Sequence, residues 1–147
     1  MAKLHFYYAV MNAGKSTQLL STRHNYISNG GNVLVFTSVL DDRSGVGVVS
    51  SRIGLEAEAV ALRVTDNLFD MVSKAHAQTS VTAVLMDEVQ FMTPRHIEDA
   101  ARIVDELGIP VLAYGLKNNV FRQLFSDAIA TLLALADDIR EVKQVCH

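Results

Sequence analysis

The sequence is poor in several features that mark particular classes of protein. It contains no tryptophan, two prolines and a single cysteine, Cys146. One cysteine cannot form an internal disulfide, so a disulfide-stabilised domain is excluded and we expect a cytoplasmic protein. No apolar run approaches the roughly 18 residues of a membrane span, and the first residues lack the pattern of a secretory signal. We therefore expect no membrane association.

An excess of basic residues is also missing. Lys and Arg number 13 against 16 Asp and Glu, which gives a net charge of −3. Because proteins that bind nucleic acid concentrate basic residues on one face, we expect no nucleic acid partner. Half of the residues are hydrophobic and a fifth are charged, a balance typical of a globular domain. The length predicts one domain over residues 1–147.

The most informative stretch lies near the start of the chain. An apolar and aromatic run at residues 4–8 leads into Asn-Ala-Gly-Lys-Ser-Thr at residues 12–17, and a helix-forming run follows. This is the layout of a phosphate-binding loop, in which backbone N–H groups and a helix N-terminus hold phosphate. We expect Lys15 to reach the outer phosphates and Ser16 to hold magnesium. The strict phosphate-loop pattern has glycine where this chain has Ala9. The alternative to a phosphate-binding loop is a strand-to-helix turn that binds nothing.

Strand and helix patterns alternate along the chain. Continuous apolar runs predict buried strands at residues 4–8, 33–37, 59–62, 84–86 and 109–114, and polar–apolar alternation predicts an outer strand at residues 140–145. Apolar spacing and end signals predict helices at residues 15–28, 67–78, 93–107 and 127–135. Such alternation predicts an α/β fold with a mainly parallel sheet flanked by helices.

Two stretches without this periodicity are predicted to be loops. They are residues 38–54, with a short hairpin around Val48 and Val49, and residues 115–122. Both follow predicted strands, as do the phosphate loop and the acidic pair at residues 87–88. Ligands of α/β proteins bind at the carboxyl ends of parallel strands, so we expect these segments to converge on one edge of the sheet.

The acidic pair and the first loop supply candidate groups for phosphoryl transfer. Asp87 is a candidate ligand of magnesium or its waters, and Glu88 is a candidate general base for an attacking hydroxyl or water. In the first loop, Asp41 is a candidate second metal contact, and Arg43 and Arg52 are candidates for stabilising charge on the transferred group. The alternatives are an acidic strand end at the surface and a solvated loop with ordinary charges.

The order and spacing of these motifs resemble bacterial type II thymidine kinases over the whole chain. The segments that carry the resemblance are residues 6–16, 40–43, 51–54, 87–91, 114–116 and 135–146. The resemblance implies a P-loop NTPase fold with a RecA-like core. It also implies transfer of the ATP γ-phosphate to the 5′-hydroxyl of thymidine to give dTMP, the use of Mg²⁺, and a homotetramer.

The resemblance also implies roles for individual residues. It makes Glu88 the proton acceptor. It places ATP against Ala9, Val10, Met11, Asn12, Ala13, Gly14, Lys15 and Ser16, with Asp87 and Gln90 nearby. It places the nucleoside against Met11, Phe91, Arg52 and Leu116. It assigns magnesium to Ser16, Asp41 and Asp87.

The chain departs from the family pattern in two places. Family members continue into a small zinc domain of four cysteines and a loop that closes over thymidine, and Cys146 resembles the first zinc ligand. A structural zinc site needs four ligands, so we expect zinc only if the chain continues, and impaired nucleoside binding otherwise. The family usually has Phe where Val120 stands, so we expect Phe121 and Arg122 to be displaced by one residue from the family pattern in the loop that contributes to thymine specificity. The alternatives to a thymidine kinase are another P-loop ATPase, with water oriented by Glu88, and a non-catalytic nucleotide-binding module.

Overall fold

The computed structural model describes residues 2–9, 15–38, 48–50, 56–119 and 121–142. The strands within these ranges are β1 (Leu4–Ala9), β2 (Val33–Ser38), β3 (Val48–Ser50), β4 (Glu56–Glu58), β5 (Val60–Leu62), β6 (Ala83–Met86), β7 (Val111–Leu116) and β8 (Asp138–Glu141). The α-helices are α1 (Lys15–Ser28), α2 (Leu68–Gln78), α3 (Pro94–Arg102) and α4 (Asp127–Leu135). A 3₁₀ turn spans Val89–Phe91, and a π-helical stretch, Ile103–Leu107, continues α3.

Six of the strands form one sheet in the order β5-β2-β6-β7-β1-β8, and every neighbouring pair is parallel. Strands β3 and β4 form a separate antiparallel pair. All four residues of β6 are buried, as expected for a central strand covered on both faces. The predicted α/β fold with a mainly parallel sheet flanked by helices is confirmed, and it is consistent with a P-loop NTPase-like core.

Successive residues of a strand point to opposite faces of the sheet. Apolar residues therefore lie on both faces, and helices cover both. In β6, Val84 and Met86 join a core cluster that also contains buried residues of α2, α3 and α4. Ala83 and Leu85 face the other way and pack in a second cluster with Leu19 of α1. Helix α1 therefore lies on one face of the sheet, and the other three helices lie on the opposite face.

The helix ends follow local sequence signals. The Asn67 side chain accepts a hydrogen bond from the Asp70 N–H at 3.0 Å and caps α2. The Thr93 hydroxyl accepts the His96 N–H at 3.2 Å and caps α3 in the same way. Gly108, with φ 67°, ends the π-helical stretch in the left-handed conformation that favours glycine. The predicted bounds of α1 and α4 are confirmed.

No helix in the described ranges is both long and apolar enough to cross a membrane.

The predicted start of the second loop is wrong, because strand β7 continues through Gly115 to Leu116. Parallel pairing with β1 continues through Tyr8 opposite Gly115 and Ala9 opposite Leu116. Pairing with β1 therefore extends β7 through Gly115, whereas the glycine alone predicted that the loop begins there.

Both smaller strand predictions need adjustment as well. β3 occupies the position predicted for a short hairpin, and its partner β4 lies beyond the predicted loop. The outer strand β8 begins at Asp138 and not at Arg140. Its first residue is opposite His5, and the His5 Nδ1 and Asp138 Oδ2 atoms are 3.0 Å apart. This side-chain contact stabilises the start of β8 at Asp138, which the alternation of polar and apolar residues does not predict.

Candidate functional site

The carboxyl ends of the central strands converge, as predicted from the parallel arrangement. β1 ends at Ala9, which is paired with Leu116 at the end of β7. β2 ends at Ser38, and Asp87 directly follows β6. The Asp87 N–H donates a hydrogen bond to the Phe36 carbonyl at 2.8 Å, which holds the acidic pair against the end of β2. One edge of the sheet therefore carries several of the predicted site residues.

The predicted phosphate loop begins at this edge. β1 runs to Ala9 and α1 begins at Lys15, so the intervening segment joins a strand end to a helix start. The N-terminus of α1 is a favourable position for an anion because its peptide dipoles point the positive end there. The predicted contacts of residues 10–14 lie outside the described residues, and for Lys15 and Ser16 only the backbone is described.

Glu88 has a rare backbone conformation and a buried side chain. Its φ of 53° and ψ of 43° lie in the left-handed region, which few residues other than glycine adopt. The residue is 1% exposed, and its Oε2 accepts a hydrogen bond from Gln90 Nε2. Such strained residues persist only where the surroundings hold them, and they cluster at active sites. The conformation supports a functional role for this carboxylate.

The 3₁₀ turn that follows Glu88 is fastened to two neighbouring strands. Leu116 of β7 donates its N–H to Gln90 Oε1 at 3.1 Å. On the other side, the Ser38 hydroxyl of β2 donates to the Phe91 carbonyl at 3.4 Å. The turn is therefore held between the ends of β7 and β2, and it fixes the positions of Glu88 and Phe91 relative to the sheet edge.

Gly115 permits the close approach of this turn to β7. A Cβ atom at this position would lie 2.6 Å from Gln90 Oε1 and 2.7 Å from Val89 Cγ2. Both distances are shorter than non-bonded carbon contacts allow. Any larger residue at position 115 would displace the turn that carries Gln90.

Phe91, a predicted nucleoside contact, is half-buried and packs against an aromatic neighbour. Its ring meets that of Phe125 edge to face, with centroids 5.5 Å apart and an angle of 87° between the planes. The Phe125 N–H donates to the Lys117 carbonyl at 2.9 Å, which fixes Phe125 close to the end of β7. Sequence reasoning missed Phe125 and Ser38, because neither belongs to a recognised motif and both meet the turn only in three dimensions.

Asp87 offers the donor type that magnesium prefers. The residue is 3% exposed and directly follows the carboxyl end of β6. Carboxylate oxygens are hard ligands that suit Mg²⁺, so the chemistry of this residue fits the predicted ion. The other predicted magnesium ligands are Ser16, of which only the backbone is described, and Asp41, which lies outside the described residues. Among the residues described, no three His, Cys, Asp or Glu side chains group as a metal site.

Buried Tyr114 lies near the same carboxylate. Burial raises the pKa of its hydroxyl, and the negative charge of Asp87 raises the pKa further by a smaller amount. The phenol therefore stays protonated and acts as a hydrogen-bond donor. It belongs to the packing beneath α1 and was not among the predicted site residues.

The structure brings together six of the predicted site residues at the carboxyl edge of the sheet. They are Ala9, Asp87, Glu88, Gln90, Phe91 and Leu116. The predicted site residues outside the described ranges are Val10, Met11, Asn12, Ala13, Gly14, Asp41, Arg43, Arg52 and Cys146, and their roles stay predictions.

Comparison with known proteins identifies the family. The family model described as thymidine kinase matches residues 2–147. The chain is 46% identical to a thymidine kinase of Shewanella oneidensis and 47% identical to one of Agrobacterium fabrum, in each case over 100% of this chain and 76% of the relative. A thymidine kinase of Lactococcus lactis is 49% identical over 99% of this chain and 76% of the relative. The chain belongs to the thymidine kinase family.

Proposed function

We propose that this chain transfers the γ-phosphate of ATP to the 5′-hydroxyl of thymidine and so produces dTMP. The observation that carries the proposal is the buried carboxylate of Glu88, held in a strained conformation at the sheet edge where the predicted phosphate loop begins. Membership of the thymidine kinase family supports the same reaction. Glu88 takes the proton of the attacking hydroxyl, because the hydroxyl must lose this proton as its oxygen bonds to phosphorus.

The nucleotide lies along the connection between β1 and α1 in this proposal. The backbone N–H groups of residues 9–16 and the N-terminus of α1 hold the phosphates, and Lys15 reaches the outer ones. Asp87 holds magnesium or its waters, with Ser16 and Asp41 as further candidates. When bound, the ion neutralises charge that develops on the transferred phosphoryl group.

The nucleoside lies beside the 3₁₀ turn. Phe91 presents a half-exposed ring whose orientation is set by Phe125. An aromatic ring provides a flat apolar surface on which a nucleobase can stack, as bases do on aromatic side chains of proteins that bind single-stranded nucleic acid. Leu116 at the end of β7, Met11 and Arg52 complete the proposed contacts. The zinc domain and the tetramer stay predictions of the family resemblance, and the cytoplasmic location stays a prediction from the cysteine content and the lack of a secretory signal.

The test is a direct assay for dTMP from thymidine, ATP and Mg²⁺, with the nucleotide products separated by chromatography. The Glu88→Gln variant removes the base and keeps the side-chain size, so we expect dTMP formation to fall about 10²–10⁴-fold. The control is Glu98→Gln, the same change at an exposed position of α3, which we expect to retain parental activity.

Two results would contradict the proposal. ADP release at a rate that thymidine does not change would indicate a hydrolase in which Glu88 orients water. ATP binding that Lys15→Ala weakens, with no product of any kind, would indicate a nucleotide-binding module without catalytic activity.

A further inference from the structure

We infer that Gln90 is a positioning residue, which holds the Glu88 carboxylate in place by bridging it to the end of strand β7. The inference rests on the proposed role of Glu88 as the base. The family resemblance assigns Gln90 to the nucleotide, but in the structure both ends of its amide bind groups of the protein itself. With 2% of the residue exposed, Gln90 presents almost no surface to a ligand.

The direction of the bridge follows from its fixed end. The backbone N–H of Leu116 can only donate a hydrogen bond, so the amide group 3.1 Å away must present its oxygen to it. The NH₂ group then faces Glu88 and donates to Oε2. A hydrogen bond from an amide that is itself fixed to β7 restrains the orientation of the carboxylate. The bridge therefore positions the base.

The bridge also relates the base to the predicted phosphate loop. Leu116 is the β7 residue paired with Ala9, the last residue of β1 before that loop. The Lys117 N–H, one residue further on, donates to the Ala9 carbonyl at 3.3 Å. Gln90 thus connects Glu88 to the same pair of strand ends from which the phosphate loop begins. Positioning of this kind matters because small displacements of a catalytic group have large effects on rate.

Gly115 is the structural requirement for the bridge. Its missing side chain leaves the space that Gln90 Oε1 and Val89 Cγ2 occupy. Gly115 lies in a regular strand, and its φ is not among the positive values of the described residues. Alanine at this position needs no strained backbone conformation, so its effect would arise from displacement of the Gln90 and Val89 side chains.

The experiment compares the steady-state kinetics of the full chain and Gln90→Met. Methionine keeps the length of the side chain and removes both hydrogen bonds. We expect kcat to fall about tenfold or more, because an oriented hydrogen bond to a charged group is lost, while KM for ATP changes less than about twofold. The matched control is Gln78→Met at the exposed end of α2, which should retain the parental kinetics.

A second variant, Gly115→Ala, disturbs the same bridge and leaves the Gln90 side chain unchanged. Gly115→Ala should lower kcat with a smaller change in KM for ATP, as Gln90→Met does. If Gln90→Met folds poorly, as judged by its unfolding transition, Gly115→Ala decides the question.

The outcomes separate this inference from the proposed function. A parent chain that forms no dTMP would overturn the proposed reaction and the inference with it. A parent that forms dTMP, with a Glu88→Gln variant that loses activity and a Gln90→Met variant whose kcat is parental, would overturn the inference alone. In that case, a raised KM for ATP would return Gln90 to the nucleotide contacts implied by the family.

Discussion

The phenolic hydroxyl of Tyr114 donates a hydrogen bond to the hydroxyl of Thr22 at 3.3 Å, and so links strand β7 to helix α1. Tyr114 is fully buried, and the ring of Tyr7 stacks on it with centroids 5.1 Å apart. Helix α1 begins at Lys15, the lysine of the predicted phosphate loop. The bond therefore connects the sheet to the helix that positions this loop.

We predict that Tyr114→Phe lowers the free energy of unfolding by about 0.5–1.5 kcal/mol, the typical net contribution of one such hydrogen bond. The loss stays modest because Thr22 is half-exposed and can bind water instead. Urea denaturation measures the change. In a double-mutant cycle with Thr22→Val, the second substitution should cost less than it does in the parent. Fully additive effects would show that the two hydroxyls do not interact.

The same tyrosine predicts a dependence of stability on alkaline pH. Burial raises the pKa of Tyr114 above the ordinary value of 10.0, so the unfolded chain loses this proton first as the pH rises. The stability that the protonated Tyr114 hydroxyl contributes is therefore complete below about pH 10. Above that pH it decreases by up to about 1.4 kcal/mol per pH unit. The Tyr114→Phe variant has no hydroxyl at this position and lacks this pH dependence. The difference in unfolding free energy between the parent and this variant should therefore narrow between pH 9 and pH 11, and a constant difference would contradict the prediction.

Sequence patterns predicted the features that depend on neighbouring residues. The ends of α1 and α4 and the acidic pair after an apolar strand are encoded within a few positions. The convergence of strand ends followed from the parallel arrangement alone. These features therefore need no knowledge of distant contacts.

Features that depend on distant partners were beyond sequence reasoning. The bridge from Gln90 to Leu116 joins residues 26 positions apart, and it decides where the amide of Gln90 points. The end of β7 depends on its register with β1, and the ring of Phe91 depends on Phe125. The left-handed conformation of Glu88 has no local signal either, because glutamate rarely adopts it. The position of the acidic pair at the sheet edge was predictable, whereas the geometry around it was not.

Arg122 supplies a prediction about the loop after β7. It is exposed and has φ 62°, a conformation that costs a side chain with a Cβ roughly 1 kcal/mol. Arg122→Gly should therefore raise the free energy of unfolding by about 0.5–1 kcal/mol, as measured by urea denaturation. The control is Gln123→Gly at the next exposed position, where φ is not positive and glycine should destabilise. Equal destabilisation by both variants would contradict the prediction.

Phe125 supplies a prediction about nucleoside recognition. If the Phe91 ring lies against the base, its edge-to-face contact with Phe125 sets the surface that the base meets. Phe125→Leu removes an aromatic pair of about 0.5–1.5 kcal/mol, so we expect KM for thymidine to rise about two- to tenfold. KM for ATP should stay unchanged, because the Phe125 ring packs against Phe91, which is a predicted nucleoside contact and not a predicted phosphate contact.

The matched control for this prediction is Phe69→Leu in α2. Phe69 is also half-buried, but its ring lies under the Arg102 guanidinium, 4.0 Å from the ring centroid, and is not part of the proposed site. Its replacement should lower stability and leave KM for thymidine unchanged. The unfolding transition of each variant shows whether the chain is folded before kinetics are compared. A parental KM for thymidine in folded Phe125→Leu would show that Phe125 does not position Phe91 for the nucleoside.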